Sequence, residues 1–196
     1  MTSLEEKARR YATKAHAALD QRRKYTNESY IVHPAAVVEL VRSVTDSEIM
    51  LAAAWLHDTV EDTDTTQGDI ENHFGSEVAA LVGMLTNTHP PEAKNRAARK
   101  VAHFQHTAQA SADAQTIKLA DIIDNTCSII EFDARFARVY LVEKRVQIAL
   151  LPDGNRELWQ RASVIIEQGI TQLMQAPYHI PSGWFQKQQQ KYSFVG

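Results

Sequence analysis

The chain has 196 residues, 44% of them hydrophobic and 23% charged, with a formal net charge of −3. That size suits a single domain able to bury its own core, and the charge balance provides no global basic field of the kind that coats nucleic acid. A lone cysteine, Cys127, excludes an intramolecular disulfide and suits a reducing compartment. The opening residues carry acids and no apolar signal core, and no stretch approaches membrane-span length. A cytoplasmic protein without a membrane partner is expected.

Seven glycines and six prolines among abundant Ala, Leu, Gln, Glu and Arg favour helices. Ser3 and Glu6 form a capping box that opens a first helix to about Leu19. A polar, basic loop spans Asp20–Glu28, and a second helix follows His33 and Pro34 with Val37, Leu40 and Val41 as its apolar stripe. Thr45 and Glu48 read as another capping box, introducing Ile49–Asp58. That segment is apolar nearly all round and is expected to be a buried central helix. A short helix runs from Thr65–Thr66 to Phe74, capped by Gly75, and Ser76–Leu85 is amphipathic. His89, Pro90 and Pro91 break the chain.

Lys94–Ala110 reads as a basic helix and Ala114–Ile130 as an apolar one. Arg135–Leu151 is long, Pro152-Asp153-Gly154 is a turn, and a last helix runs from Asn155 to about Met174. No strand alternation of useful length and no internal repeat occur. An all-α, compact multi-helix bundle over residues 1–175 is expected, with 176–196 a loosely held tail.

The segment Leu56-His57-Asp58-Thr59-Val60-Glu61-Asp62-Thr63 carries the chemistry. An apolar helix here ends in one histidine and three carboxylates, and buried charges are costly unless paired or metal-bound. A solvated acidic helix end is the plain alternative, although an acidic C-terminus opposes the helix dipole. Two other segments weigh against it. His33 opens the second helix among apolar neighbours, and Asp121 follows an apolar half-turn with Asn125 one turn later. Each alone has a structural reading, Asp121 as a buried partner of Lys118 included. Together His33, His57, Asp58 and Asp121 supply two imidazoles and two carboxylates, a mixed set that suits Mn²⁺, Fe²⁺ or Zn²⁺.

On these stretches, together with Gln21-Arg22-Arg23-Lys24, Tyr30-Ile31-Val32-His33-Pro34, Phe74-Gly75-Ser76-Glu77-Val78 and Lys118-Leu119-Ala120-Asp121, the sequence resembles the HD superfamily of metal-dependent phosphohydrolases. More closely it is similar to the hydrolase domain of RelA/SpoT homologues and to stand-alone small alarmone hydrolases. The likeness runs from the first helix to about the last. It implies an HD-domain bundle in which His33, His57, Asp58 and Asp121 bind Mn²⁺, other divalent ions being open, while Glu61 and Asp62 orient and deprotonate water.

The same resemblance implies that Arg23 and Lys24 lie against the purine and its sugar and that Asn125 meets the substrate near the ribose. The expected reaction removes the 3′-diphosphate from (p)ppGpp and/or (p)ppApp, leaving a nucleoside 5′-di- or triphosphate and pyrophosphate, in an enzyme that only degrades. Arg96, Arg99 and Lys100 share a helix face able to meet phosphates, and Tyr140 and Lys144 fall where the family supplies substrate contacts. Departures at Tyr25–Ser29 and at Thr126-Cys127-Ser128 adjoin the expected base pocket and leave guanosine and adenosine both open. Two alternatives stand beside this reading. One is an HD phosphatase acting on another nucleotide such as NADPH; the other is an inactive nucleotide-binding regulator, which has no need of Glu61 and Asp62.

Overall fold

The structure, a computed structural model, describes residues 2–87 and 95–192. Among these residues there are helices and no strand, as the all-α expectation required. In chain order they are α1 (Leu4–Ala18), α2 (Val32–Arg42), α3 (Glu48–Leu56), α4 (Thr59–Asp62), α5 (Gln67–Phe74), α6 (Ser76–Leu85), α7 (Arg96–Ala108), α8 (Ala112–Thr126), α9 (Ile129–Ile148), α10 (Arg156–Met174) and α11 (Ser182–Gln189), closed by a 3₁₀ turn at Gln190–Tyr192. The break expected at His89, Pro90 and Pro91, and Lys94 with it, lie outside the described residues.

Two inner helices organise the bundle. In α3 every residue from Met50 to Leu56 is buried, and α1, α2, α6 and α8 surround it. In α8 burial is unbroken from Ala114 to Ile123, against α2, α9 and α10. Helix α2 packs on both inner helices, so its first turn is held where the end of α3 and the middle of α8 approach each other. No helix among the described residues is long and apolar enough to cross a membrane.

Local chemistry sets the boundaries. Ser3 caps α1 through Glu6 N, and Thr66 with Asp69 completes a reciprocal capping box on α5. The cap of α3 is Ser47, whose hydroxyl accepts from Met50 N at 3.3 Å; Thr45 instead accepts from Ser47 N, so the capping pair expected at Thr45 and Glu48 lies two residues early. The helix expected over Ile49–Asp58 stops at Leu56, and α4 begins after the His57–Asp58 turn. Cys127 and Ser128 likewise divide what sequence periodicity joins as Ala114–Ile130. The loop Asp20–Glu28 is tied into a small hairpin by an antiparallel bridge between Arg22 and Ser29, with Asp20 and Asn27 in the left-handed region at φ 45° and 58°.

The tail expected to be loose over 176–196 is docked as far as Tyr192, the last residue described. Helix α11 packs against α9, the 3₁₀ turn packs against α7, and Phe185 and Tyr192 are buried. Polar composition masked this, because two aromatic anchors suffice to seat a short segment whose other residues are mostly exposed.

The turn between α9 and α10 is fastened to α8. Gln115 Oε1 accepts from Asp153 N at 3.0 Å, and Thr116 Oγ1 from Asn155 N at 2.8 Å. Gly154 approaches so closely that a Cβ there would lie 2.6 Å from Leu119 Cδ1 and 3.2 Å from the Gln115 carbonyl carbon. Gly154→Ala is therefore expected to lower the unfolding free energy by about 1–3 kcal/mol through overpacking against α8, read from the denaturant midpoint.

Candidate metal and nucleotide site

The end of α3 is built to expose imidazole nitrogen. His57 Nδ1 lies 2.8 Å from Ala54 O, and Thr59 Oγ1 donates to Leu56 O at 2.7 Å, so side chains satisfy carbonyls the terminating helix leaves free. Because a carbonyl only accepts, Nδ1 carries the proton and Nε2 offers its lone pair. His33, in the first turn of α2, makes the matching arrangement. Its Nδ1 lies 2.6 Å from Asp124 Oδ2 of α8, again leaving Nε2 to point inward.

The two Nε2 atoms converge. His57 Nε2 lies 3.1 Å and His33 Nε2 3.5 Å from Asp58 Oδ2, and Asp121 Oδ1 is 4.0 Å and 3.3 Å away from them. Both nitrogens are buried without a hydrogen-bond partner. Ligand atoms of His33, His57 and Asp58 all fall within 4.8 Å of one another, a spacing that fits a shared ion, and Asp121 flanks this trio. The surrounding charge fits a cation too. Burial would depress His33, but the Asp121, Asp124 and Asp58 carboxylates around it outweigh burial and raise it to about 11. Burial would raise Asp58, but the His57 and His33 imidazoles hold it well below its ordinary value. Asp121 is held low in the same way, by Lys118 first and then by both imidazoles. His33, His57 and Asp58, with Asp121 beside them, would therefore hold a divalent ion, and Asp124 stands as the outer carboxylate that fixes a ligand histidine.

Further bonds orient the acids. Tyr30 donates to Asp58 Oδ2 at 2.6 Å. Lys118 Nζ meets Asp121 Oδ2 at 2.9 Å, and Asn125 Nδ2 donates to Asp121 Oδ1 at 2.6 Å. The pairing of Lys118 with Asp121 thus exists alongside the cluster.

The backbone of α4 keeps a helical bond from Asp62 N to Asp58 O, yet its two acids differ. Glu61 is gripped by Asn87, which donates through Nδ2 at 2.9 and 3.2 Å and through its backbone N–H at 3.1 Å. Asp62 accepts from Gln21 Nε2 at 3.1 Å, and Gln21 Oε1 in turn takes His16 Nδ1 at 2.7 Å. Burial, then the charge of Asp58, pushes Asp62 above its ordinary value, opposed by the Gln21 and Tyr30 hydrogen bonds.

Beside the cluster opens a cavity of about 410 Å³ whose walls include Arg23, Lys24, Asn125 and Tyr140. Arg23 is fixed to α8 by Nη1 to Asn125 Oδ1 at 3.1 Å and Nη2 to Asp124 Oδ2 at 3.4 Å. Lys24 Nζ sits 4.7 Å from the Tyr25 ring and 5.4 Å from that of Phe136. Tyr25 and Phe132 stack at 5.5 Å with planes 4° apart.

Arg96 is committed to a bidentate pair with Glu143, its guanidinium 5.3 Å from Phe136. Lys100 is half-buried and held below its ordinary value by burial, then by Arg96 and Lys118, against the charge of Glu143. Arg99 is exposed on the same turn. A larger cavity, about 500 Å³, lies on the outer side of α1 and α5 by Tyr11, Lys14 and His73, and no member of the cluster lines it.

Sequence reasoning gave no role to Gln21, Tyr30, Asp124, Phe132, Phe136 or Glu143. Asp124 had a signal, since it lies three residues after Asp121 on one helix; the others depend on contacts between distant segments. Lys144 lines the cavity, and burial followed by Lys100 and Lys118 pushes its amine down to about 7 despite Asp121.

A histidine–aspartate cluster at the meeting of three helices in an all-α bundle defines a class. The HD domain family matches residues 8–144, and the chain belongs to that family. Mouse guanosine-3′,5′-bis(diphosphate) 3′-pyrophosphohydrolase MESH1 is 39% identical over 115 residues, 57% of this chain and 62% of its own length. The protein of the same activity name from Aquifex aeolicus (strain VF5) is 34% identical over 145 residues, 74% of this chain and 19% of its own. The chain thus spans less than two thirds of these relatives. A solved structure described as a metazoan ortholog of SpoT that hydrolyses ppGpp superposes with a TM-score of 0.76 at 29% identity, covering 86% of this chain and 96% of that one.

Titration of metal-free protein with Mn²⁺, Fe²⁺ or Zn²⁺ is expected to show a single buried site and a raised unfolding temperature. His57→Ala or Asp58→Ala should abolish both effects. Asp124→Asn, which leaves every inner ligand in place, should weaken ion affinity by roughly 10–100-fold in calorimetry.

Proposed function

We propose that this chain is a Mn²⁺-dependent hydrolase that removes the 3′-diphosphate from purine nucleoside 3′,5′-bis(diphosphates), of guanosine, adenosine or both. The observation that carries this reading is the convergence of two unpartnered imidazole Nε2 atoms on Asp58 and Asp121 beside a cavity lined by Arg23, Lys24 and Asn125. The relatives named for this activity support it, as does the superposition with the metazoan SpoT ortholog.

When bound, a divalent ion polarises a phosphoryl oxygen and acidifies water beside it. The residues of the chain supply the rest. Asp62, raised by burial and by Asp58, takes the proton of the attacking water, and Glu61, held by Asn87, orients that water. Water oxygen bonds to the phosphorus attached to the ribose 3′ oxygen as the bond to that oxygen breaks; pyrophosphate leaves and the 3′ oxygen gains a proton. Arg23, pinned on Asn125 and Asp124, offers a flat guanidinium for stacking on a purine, and Lys24 lies beside it over Tyr25. Asn125 touches both Asp121 and Arg23, so it couples the position of the nucleoside to the reacting phosphate. Tyr140 and Lys144 complete the wall, and Lys144 gains its full charge as a phosphate approaches.

With Mn²⁺, pyrophosphate release is expected from guanosine or adenosine 3′,5′-bis(diphosphate), assayed beside orthophosphate release from NADPH. Release from neither bis(diphosphate) would overturn the proposal. Asp62→Asn should lower kcat by about 10²–10⁴-fold.

The pH profile offers a second check. The base form of Asp62 is ionised, so the rate falls as pH drops through its pKa. Gln21→Leu removes a hydrogen bond that lowers that pKa, and the acidic limb of kcat should therefore move to higher pH.

A further inference from the structure

Glu143 takes no part in the metal cluster or in the reaction proposed above, yet it is a carboxylate only 1% exposed. Its partners come from two distant parts of the chain. Arg96, at the start of α7, donates through Nε and Nη2, each at 2.8 Å, and Tyr192, in the closing 3₁₀ turn, donates its hydroxyl to Oε1 at 2.9 Å. Tyr192 is itself buried, its ring 6.2 Å from Phe104 of α7, and Gln188 Nε2 stands 3.4 Å from its hydroxyl. Burial, then the charge of Glu143 and the bond to it, raises the phenol to about 12, so the hydroxyl remains a donor.

The far end of this chain of bonds adjoins a residue that lines the nucleotide cavity. The Arg96 guanidinium sits 5.3 Å from the ring of Phe136, a wall residue, and its side chain remains 47% exposed. A bidentate pair fixes a guanidinium in plane as well as in place. A carboxylate already engaged on both oxygens by Arg96, and on one by Tyr192, has no freedom to turn away. Covering apolar surface explains Phe185; it does not explain a hydroxyl placed on a buried carboxylate.

We infer that the C-terminal segment is a working part of the nucleotide site, with Tyr192 and Glu143 as positioning residues that hold Arg96 at the cavity rim for the phosphate groups of the substrate. This rests on the proposed nucleotide reading. A purely structural role for the segment makes a different forecast: loss of the Tyr192 hydroxyl would lower stability and leave nucleotide affinity alone.

The test uses the full chain with Tyr192→Phe, Arg96→Ala, the double variant, and Trp184→Phe as a control. Trp184 packs under Arg138 of α9 in the same segment, outside the chain of bonds. Dissociation constants for guanosine and adenosine 3′,5′-bis(diphosphate) are measured by calorimetry in EDTA, where turnover is suppressed. KM and kcat follow with Mn²⁺. Tyr192→Phe is expected to weaken binding about three- to tenfold, the loss of one hydrogen bond's worth of positioning, and to raise KM in step while kcat stays within about twofold. Trp184→Phe should leave affinity unchanged. In the Arg96→Ala background the Tyr192→Phe effect should vanish, because the hydroxyl acts through the arginine.

Unchanged affinity in Tyr192→Phe, or the same loss with Arg96 absent, overturns the inference. A wild-type protein that binds either nucleotide without releasing pyrophosphate defeats the hydrolase reading, and the affinities still decide the role of Tyr192. One that binds neither nucleotide defeats both.

Discussion

The buried nitrogens His33 Nε2 and His57 Nε2 lack hydrogen-bond partners, and the surrounding structure is arranged to keep them so. Each imidazole spends its other nitrogen on an acceptor, Asp124 for His33 and the Ala54 carbonyl for His57, which fixes both tautomer and ring plane. An unsatisfied buried nitrogen is costly, and two of them facing the same carboxylates are more so. A divalent ion resolves both costs at once. This accounts for placing the residues at the junction of α2, α3 and α8, where packing against two inner helices leaves little room for relaxation.

Around this junction charge is laid out in layers. Asp58 and Asp121 lie nearest, and Tyr30, Lys118 and Asn125 bond to them. Arg23 then bonds to Asn125 and Asp124, so the residue proposed to meet the purine shares partners with the cluster proposed to hold the metal. Under the proposed reading, a change in nucleoside position would reach Asp121 through the Asn125 amide. The difference between Glu61 and Asp62 has a similar origin. Adjacent on α4, they face different neighbours, so Asn87 anchors one while burial and Asp58 raise the other.

The closing segment extends the same logic to Arg96, beside the cavity residue Phe136. Sequence composition presents it as polar and loose, but Phe185 and Tyr192 seat it on α9 and α7, and Tyr192 adds a bond to Glu143 that apolar packing alone does not require. Glu143 is a buried carboxylate close to Arg96, Lys100 and Lys144, and so offsets the mutual repulsion of these three cations.

Local patterns in the sequence determined the helices and much of the cluster. A capping box marks α1, amphipathic periodicity marks α6, and the Pro152-Asp153-Gly154 turn marks the start of α10. An unbroken apolar run marks α3 as central, and His57 with Asp58 at the end of that run is an anomaly visible without coordinates. Spacing also puts Asp121 and Asn125 on one face, and the structure joins them by a hydrogen bond. Tertiary structure alone decided what is paired across distance. The bond of His33 to Asp124 spans 91 residues, that of Arg23 to Asn125 spans 102, and that of Tyr192 to Glu143 spans 49. Such pairs leave no periodic trace, because periodicity reports which face of one element is buried and says nothing about which other element covers it. The breaks at His57–Asp58 and Cys127–Ser128 escaped the sequence for a related reason. No glycine or proline marks either break, and side chains close to each, His57 and Thr59 at the first and Thr126 at the second, satisfy carbonyls of the last helical turn.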